Sequence, residues 1–365
     1  MYTSETSLLF RSSRLFYVSL LLLSALLAAP VPAKAQANVI VVSTTIQAAV
    51  DAANPGDTVH VPPGIYHENV LITKDNITIE GSPGAILDGI GLPGRSGITV
   101  RSLSPSVRLN RFRLTGMRIQ NYAGNGVILI RVDNFQIDHG IYVNNEGYGI
   151  FPIRTSQGLI EFNQVSGSND TGIYIGQSQD AVIQRNRVTD CTVGINVEVS
   201  SNITVQGNAV QGNTIGMLAA VLPGLSVTET KNIQIFGNLF SRNNRPNPVT
   251  NPTEFVSQLP SGVGLLIFGA DNVTTTDNTV SGNNSAGIAV IQLPPALAVL
   301  DPRIDPFPDN DKVSQNVVLS NGSDPDPKIA PFPPSDLIWD LSGAGNCWSD
   351  NVYKTSFPLT LPDCP

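Results

Sequence analysis

The chain has 365 residues, 41% of them hydrophobic, with 32 glycines, 27 prolines, three cysteines and a formal net charge of −8. An acidic chain with no Lys/Arg cluster is not built to bind nucleic acid or an anionic membrane surface. Its length is enough to bury a large core, so neither a peptide nor a marginal mini-domain is at issue.

Residues 1–35 have the make-up of a secretory signal peptide. Arg11 and Arg14 precede the apolar run LFYVSLLLLSALLAA, and Ala33-Lys34-Ala35 supplies a small-x-small cleavage site. The run is about 15 residues, against the roughly 20 a spanning helix needs. Cleavage and export are therefore expected, to the periplasm or outside the cell. No later stretch is apolar enough to cross a bilayer, so no membrane span is expected after cleavage. Losing Arg11, Arg14, Lys34 and Glu5 makes the mature chain more acidic still.

Residues 36–56 read as an N-terminal cap. Within it TTIQAAVDAANPG (44–56) predicts one short amphipathic helix stopped by Pro-Gly. Such a helix covers the exposed first edge that a stack of strands would otherwise present to other chains. From Asp57 onward strands and turns alternate: DTVHVPPGIYHENVLI, NITIEGSPGAILDG, GITVRS. GIYHE at 64–68 resembles the opening of a pectin methylesterase, but that family's later catalytic aspartates have no matching runs, and it reads as a first-coil structural motif.

A glycine-apolar step then recurs every 22 to 23 residues at Gly126, Gly149, Gly172, Gly194 and Gly216, and again at Gly264 and Gly287. Each opens a short strand, followed by a second strand that runs into an asparagine: Asn163, Asn186, Asn208, Asn238, Asn278, Asn316 and Asn351. A fixed period of this length, with strands and no helices, marks a β-solenoid with about three sides per turn. Strand alternation then assigns directions. Ile173 and Ile175, and Ile195 and Val197, point inward, as do the stacks Ile137, Ile160, Ile183, Val205, Ile235 and Val165, Val188, Val210, Phe240, Val280, Val318. Asparagines at one coil position can bond one another and the turn backbone through their amides, which gives them a structural role.

The repeats resemble right-handed parallel β-helix repeats of the pectin-lyase-like superfamily, from residue 45 to about 353. The runs YGIFPI (148–153), SNDTGIYIGQS (168–178), LPGL (222–225) and GNCWSDNVYKTSFPLTLPDC (345–364) resemble a bacterial exported group of parallel β-helix proteins. The expected fold is all-β: a single-stranded right-handed parallel β-helix of about ten coils over 57–320, with residues 321–365 as last coil and C-terminal cap. Cys347 and Cys364 flank that end and are expected to pair after export, leaving Cys191 as a buried small apolar residue.

In that superfamily carbohydrate chemistry takes place on the outer face of one sheet, between long loops. Insertions here fall at 222–231, 243–262, 292–312 and 321–336, all flanking the glycine strands. The outward columns of those strands are Ile128, Phe151, Tyr174, Asn196, Leu218, Leu266, Ala289 and Ile130, Ile153, Gly176, Glu198, Ala220, Phe268, Ile291. The late coils are apolar outside, and the Pro-rich loops are expected to fold over them. The middle coils mix aromatics with polar groups: Phe151, Tyr174, Asn196 and Glu198, with Arg131, Arg154, Gln177, Glu146 and Asp170 in the adjoining turns. Such a mixture suits a sugar ring, whose apolar faces stack while its hydroxyls find donors and acceptors; it equally suits an ordinary half-exposed sheet.

Spacing weighs on the chemistry. Asp170 and Glu198 are six positions apart, up to roughly 20 Å along extended strands, beyond the roughly 5 to 9.5 Å of paired glycosidase carboxylates. Only Glu146 and Asp170 sit on neighbouring coils in a way that allows such a pair. A uronate lyase or epimerase needs a carboxylate neutraliser, a base and an acid; Arg154, Tyr174, and Glu198 or Asp170 are the candidates. The Arg-x-Pro-x-x-Arg of pectate lyases is absent, and only Ile137-Asp138-His139-Gly140 approaches the Asp-Pro-His-Asp of alginate epimerases. Asp138, His139, Glu161 and Arg185 cluster on another sheet and read as surface charge. His60 and His67 belong to the first coil, so no His/Cys metal cluster arises. The loops 301–312 and 323–328 offer oxygens for Ca²⁺, but their prolines and the lack of an EF-hand pattern favour solvated loops, and no cofactor is expected. Two functional readings stand: a secreted, monomeric protein that binds or processes carbohydrate, acidic polysaccharide included, with lyase or epimerase chemistry ahead of glycoside hydrolysis; or a non-catalytic surface scaffold that binds a partner protein.

Overall fold

The computed structural model describes residues 37–94 and 96–365, so the expected signal peptide at 1–35 lies outside the described residues. The described chain winds into a right-handed parallel β-helix. Its strands form three sheets of 14, 10 and 11 members, all paired in parallel, which are numbered sheets 1, 2 and 3. One coil of the regular region runs, for example, from Thr171–Gly176 in sheet 3 to Gln179–Gln184 in sheet 1 and Arg187–Thr189 in sheet 2.

The glycine step is explained by close approach between coils. A Cβ on Gly172 would lie 2.5 Å from Val188 Cγ1 and 2.8 Å from the Gly194 carbonyl oxygen, and one on Gly216 would lie 2.3 Å from the Gly264 carbonyl oxygen. Only a residue without Cβ lets the chain turn this tightly into sheet 3. The apolar stacks hold the register: Ile137, Ile160, Ile183, Val205 and Ile235 pair coil to coil and are buried. Val165, Val188, Val210, Phe240, Val280 and Val318 do the same in sheet 2. Each ladder keeps apolar contact at about 4.8 Å intervals along the axis.

Asn163, Asn186, Asn208, Asn238, Asn278, Asn316 and Asn351 form one continuous hydrogen-bonded chain. Each side-chain oxygen accepts from the backbone N–H and the amide of the preceding member, as Asn186 Oδ1 does from Asn163 N and Nδ2, both at 3.0 Å. A second ladder, invisible in the sequence reading, runs through Asn213, Asn243, Asn283 and Asn321 and ends on the carboxylate of Asp336. Cys191 occupies the rung before Asn213: it is fully buried, and its N–H donates to Asn213 Oδ1 at 2.9 Å.

The N-terminal helix spans Ile46–Ala52, with Thr45 Oγ1 accepting from Ala48 N and Ile46, Ala49 and Val50 packed inward. Glu68, the last residue of GIYHE, accepts from Ile46 N (2.7 Å) and Gln47 N (2.9 Å), so this carboxylate satisfies two free N–H groups of the first helical turn. At the other end Cys347 and Cys364 are joined by a disulfide. Among the described residues no helix is long and apolar enough to cross a membrane.

The insertions settle over the late coils of sheet 3. Leu218, Ala220, Leu266, Phe268, Ala289 and Ile338 on its outer face form a second apolar core with Val256, Leu259, Leu293, Ile304 and Ile329 from the loops. The acidic loop residues serve this covering. Asp301 pairs with Arg303 and accepts from Gly224 N, and Asp326 accepts from Ser261 N and Lys328 N. Asp301 thus ties its loop through a guanidinium and a backbone N–H, and Asp326 through two backbone N–H groups.

Candidate functional site

The corner between sheets 3 and 1 places one residue per coil in the left-handed region: Arg131 (φ 57°), Arg154 (φ 57°), Gln177 (φ 50°) and Val199 (φ 41°). The backbone bonds Arg131 N to Ile153 O, Arg154 N to Gly176 O and Gln177 N to Glu198 O fix these as successive rungs. The two arginines therefore project from adjacent coils, about 4.8 Å apart at the backbone. Together with Arg101 and Ile130 they line a groove of about 530 Å³ whose other wall is the loop 102–107. The groove continues past Arg108, Ser156 and Gln179 to Ser226 and Val227 of a covering loop. Arg108 is committed: it forms two bonds to Asp133, at 2.6 and 2.5 Å, and donates to the Arg154 carbonyl. Among the described residues Arg101, Arg131 and Arg154 have no carboxylate partner.

Beside this groove three aromatic rings pack on the outer face. Tyr148 and Phe151 are stacked with centroids 4.1 Å apart, and Tyr174 meets both edge-on at 5.3 and 4.9 Å. Phe151 remains half-buried, whereas Tyr174 is 5% exposed. The Tyr174 hydroxyl donates to Glu198 Oε1 at 2.9 Å, and Asn196 Nδ2 donates to Glu198 Oε2 at 3.3 Å. Burial pushes the Glu198 carboxyl up to about 7 despite both bonds, and the nearby Asp170 adds to the rise. Asp170 is itself raised by burial, although the Thr171 hydroxyl donates to its Oδ1 at 3.0 Å. Desolvation also raises the Tyr148 and Tyr174 phenols far above the usual value, so neither ionises near neutrality.

The nine residues singled out in the sequence therefore divide. Arg131, Arg154 and Gln177 belong to the arginine groove; Asp170, Asn196 and Glu198, backed by Tyr174, belong to a separate pocket of about 220 Å³. Phe151, stacked on Tyr148 and met edge-on by Tyr174, lines neither. Glu146 is exposed and lines neither. Asp170 and Glu198 line one pocket although six positions separate them along the strands, and it is Glu198 rather than Glu146 that accompanies Asp170 there. An open face at Tyr174 and Glu198 is likewise not found, because Leu222, Glu254, Phe255 and Val256 of two insertions roof it. The sequence could place Tyr148 beside its glycine, but nothing in the repeat traces the path that brings Glu254 over the coil.

Asp138 also departs from expectation. It is fully buried rather than a surface charge, held by Arg113 Nε at 3.0 Å, Thr115 Oγ1 at 2.5 Å and His139 Nδ1 at 2.8 Å, and these partners lower its pKa. His139 stacks on Phe162 on the solvent side. This is a corner clamp between coils, at the end of sheet 1 that turns into sheet 2, away from the corner that carries the arginine groove. Among the described residues no three potential ligands are arranged to hold a metal ion.

In sequence, no curated protein matches the chain. In structure it is similar to the A-module of a mannuronan C-5 epimerase of Azotobacter vinelandii (TM-score 0.63, 16% identity, covering 84% of this chain and 90% of that one). It is also similar to a periplasmic alginate epimerase (TM-score 0.56, 15% identity, 81% and 73%) and to a DFA-IIIase of Arthrobacter chlorophenolicus A6 (TM-score 0.53, 15% identity, 87% and 92%). At these identities the likeness is one of fold. The description of a right-handed beta helix region matches residues 63–222 and 126–295, more than half of the sequence. The chain belongs to the right-handed β-helix family.

Proposed function

We propose that this protein binds an acidic polysaccharide along the groove at the corner of sheets 3 and 1, with sugar carboxylates on Arg131 and Arg154. The observation that carries the reading is the pair of arginines on successive rungs, without carboxylate partners among the described residues and lining a groove, the Arg154 guanidinium donating only to Gln177 Oε1 at 3.3 Å, in a chain whose overall charge is negative. A guanidinium presents a planar fork that matches a carboxylate, and regular spacing lets one polymer engage several forks at once. Arg101, in register with Ile130, adds a third guanidinium to the groove wall from the preceding coil. Mannuronan and alginate, named for two of the similar folds, are polymers of this charge. Binding is favoured over turnover, because Tyr174, Asp170 and Glu198 lie in the other pocket, under the insertions.

Retention on alginate, pectate and neutral glycans tests this. Alginate or pectate should be held and neutral glycans not, with Arg131→Ala/Arg154→Ala weakening retention roughly tenfold or more. Equal retention on neutral glycans, or an unchanged double variant, would sink the reading. Absorbance at 235 nm and a reducing-end assay on the same panel read turnover, which the pocket geometry predicts to be absent.

A further inference from the structure

The pocket roofed by the insertions has a charge balance that the arginine groove does not explain. Its lining includes Asp170, Glu198 and Glu254 and contains no lysine, arginine or histidine. Three nearby donors are already used: Tyr174 Oη and Asn196 Nδ2 on Glu198, and Thr171 Oγ1 on Asp170. What remains is acceptor capacity. Asn196, 2% exposed and part of the lining, has a side-chain oxygen with no partner at all. A buried polar atom left unpaired is costly, and the usual remedy is a group that enters with donors.

Three features narrow what enters. The missing element is a donor to the Asn196 oxygen, which can only accept. It should carry positive charge, because three carboxyl groups line the space and no lysine, arginine or histidine lines it. It should be small, at about 220 Å³, and present an apolar body to Leu222, Val256 and the rings of Tyr148 and Phe255, which also favour a cation over their faces. A sugar hydroxyl meets the first demand only; a metal ion would need a ligand arrangement not found here.

We infer that this pocket is a binding site for a protonated primary amine on a small polar ligand, an amino sugar being the class that fits, held by Glu198, Asp170 and the Asn196 oxygen. The site is independent of the arginine groove: the two share no lining residue, and the insertion contributes Leu222 to one and Ser226 and Val227 to the other. Burial and the nearby Asp170 push the Glu198 carboxyl up to about 7, and no basic side chain lines the pocket to offset that rise.

Titration calorimetry on the full chain at pH 7 with glucosamine, glucose and N-acetylglucosamine tests the inference. Glucosamine should bind roughly tenfold or more tighter than the two neutral sugars. Glu198→Gln, nearly isosteric, should weaken it by a similar factor; Glu254→Gln, on an exposed loop where folding is not at stake, should weaken it less. Arg154→Ala should leave it unchanged, which separates this site from polysaccharide binding. Equal binding of glucose and glucosamine, no binding of either, or insensitivity to both glutamate variants would overturn it.

Discussion

The Tyr174 hydroxyl lies over Gly176, two residues along its own strand, so close that a Cβ on that glycine would sit 2.2 Å from the oxygen. The ring is laid down along the strand rather than standing up from it, and this is how the hydroxyl reaches Glu198 on the next coil at 2.9 Å. Gly176 is thus a glycine for the sake of its neighbour's side chain, while the glycines that open each strand answer to the backbone of the next coil.

Gly176→Ala is predicted to destabilise the protein by about 1 to 3 kcal/mol, the usual cost of forcing a buried side chain from its place. The direction is informative, because an alanine in a strand with room for it would be mildly stabilising. Urea unfolding gives the magnitude. A gain in stability would show that the Tyr174 ring does not occupy that space.

The asparagine ladder makes a graded prediction. Asn238 accepts from Asn208 N and Nδ2 and donates to Val205 O, Phe236 O and Asn278 Oδ1, all within 3.1 Å. Asn238→Ala leaves several buried groups unpaired, each worth roughly 1 to 3 kcal/mol, and should cost more than about 3 kcal/mol. Asn351, the half-buried last rung, donates to Val313 O and can share its lost bonds with water. Asn351→Ala should cost markedly less. Equal losses in the two variants would mean that the ladder does not act through burial.

Most of the fold was legible because each coil repeats the same two constraints, a backbone contact that tolerates only glycine and an amide that closes a turn. The second ladder was not legible, because Cys191 interrupts it in the sequence and Asp336 ends it while the hydrogen-bond geometry continues. The site divides in the same way. Alternation along the strands brought Tyr174, Asn196 and Glu198 to one outer face, and it marked Arg131 and Arg154 as corner residues. Coverage was beyond it: whether Glu198 meets solvent depends on where Glu254 and Phe255 settle, and an insertion follows apolar contacts that have no period.

Cys191 tests the second ladder directly. Its N–H already donates to Asn213, but its thiol is a weak partner for the Ser168 N–H above it, and burial raises the thiol to about 11. Cys191→Asn should extend the ladder by one rung, with its side-chain oxygen accepting from Ser168 N. The expected gain is about 1 kcal/mol, one net buried hydrogen bond, read as a higher urea midpoint. A lower midpoint would show that the coil lacks room for the extra atoms.

The buried carboxyls predict how stability changes with pH. Glu198 is raised from 4.5 to about 7 by burial, and Asp271 from 3.8 to about 6, also by burial with Asp309 and Asp305 nearby. Each folded state holds its proton more tightly than the unfolded chain does. Their contribution is therefore fully present below about 4 and is lost as pH rises through 6 for Asp271 and 7 for Glu198. Asp133 and Asp138 act in the opposite sense. The hydrogen bonds of Arg108 lower Asp133; Arg113, Thr115 and His139 together overcome burial to lower Asp138, so both add stability above 3.8 that disappears in acid. Stability should accordingly peak in mildly acidic solution and fall between pH 5 and about 8, with Glu198 accounting for on the order of 3 kcal/mol of the fall. Glu198→Gln keeps an acceptor for Tyr174 and has no proton to lose, so its urea midpoint should change much less over that range and exceed the parent's at pH 8. A parent midpoint that rises steadily from pH 5 to 8 would mean that Glu198 is ionised in the folded protein, and that a compensating positive charge is already in place beside it.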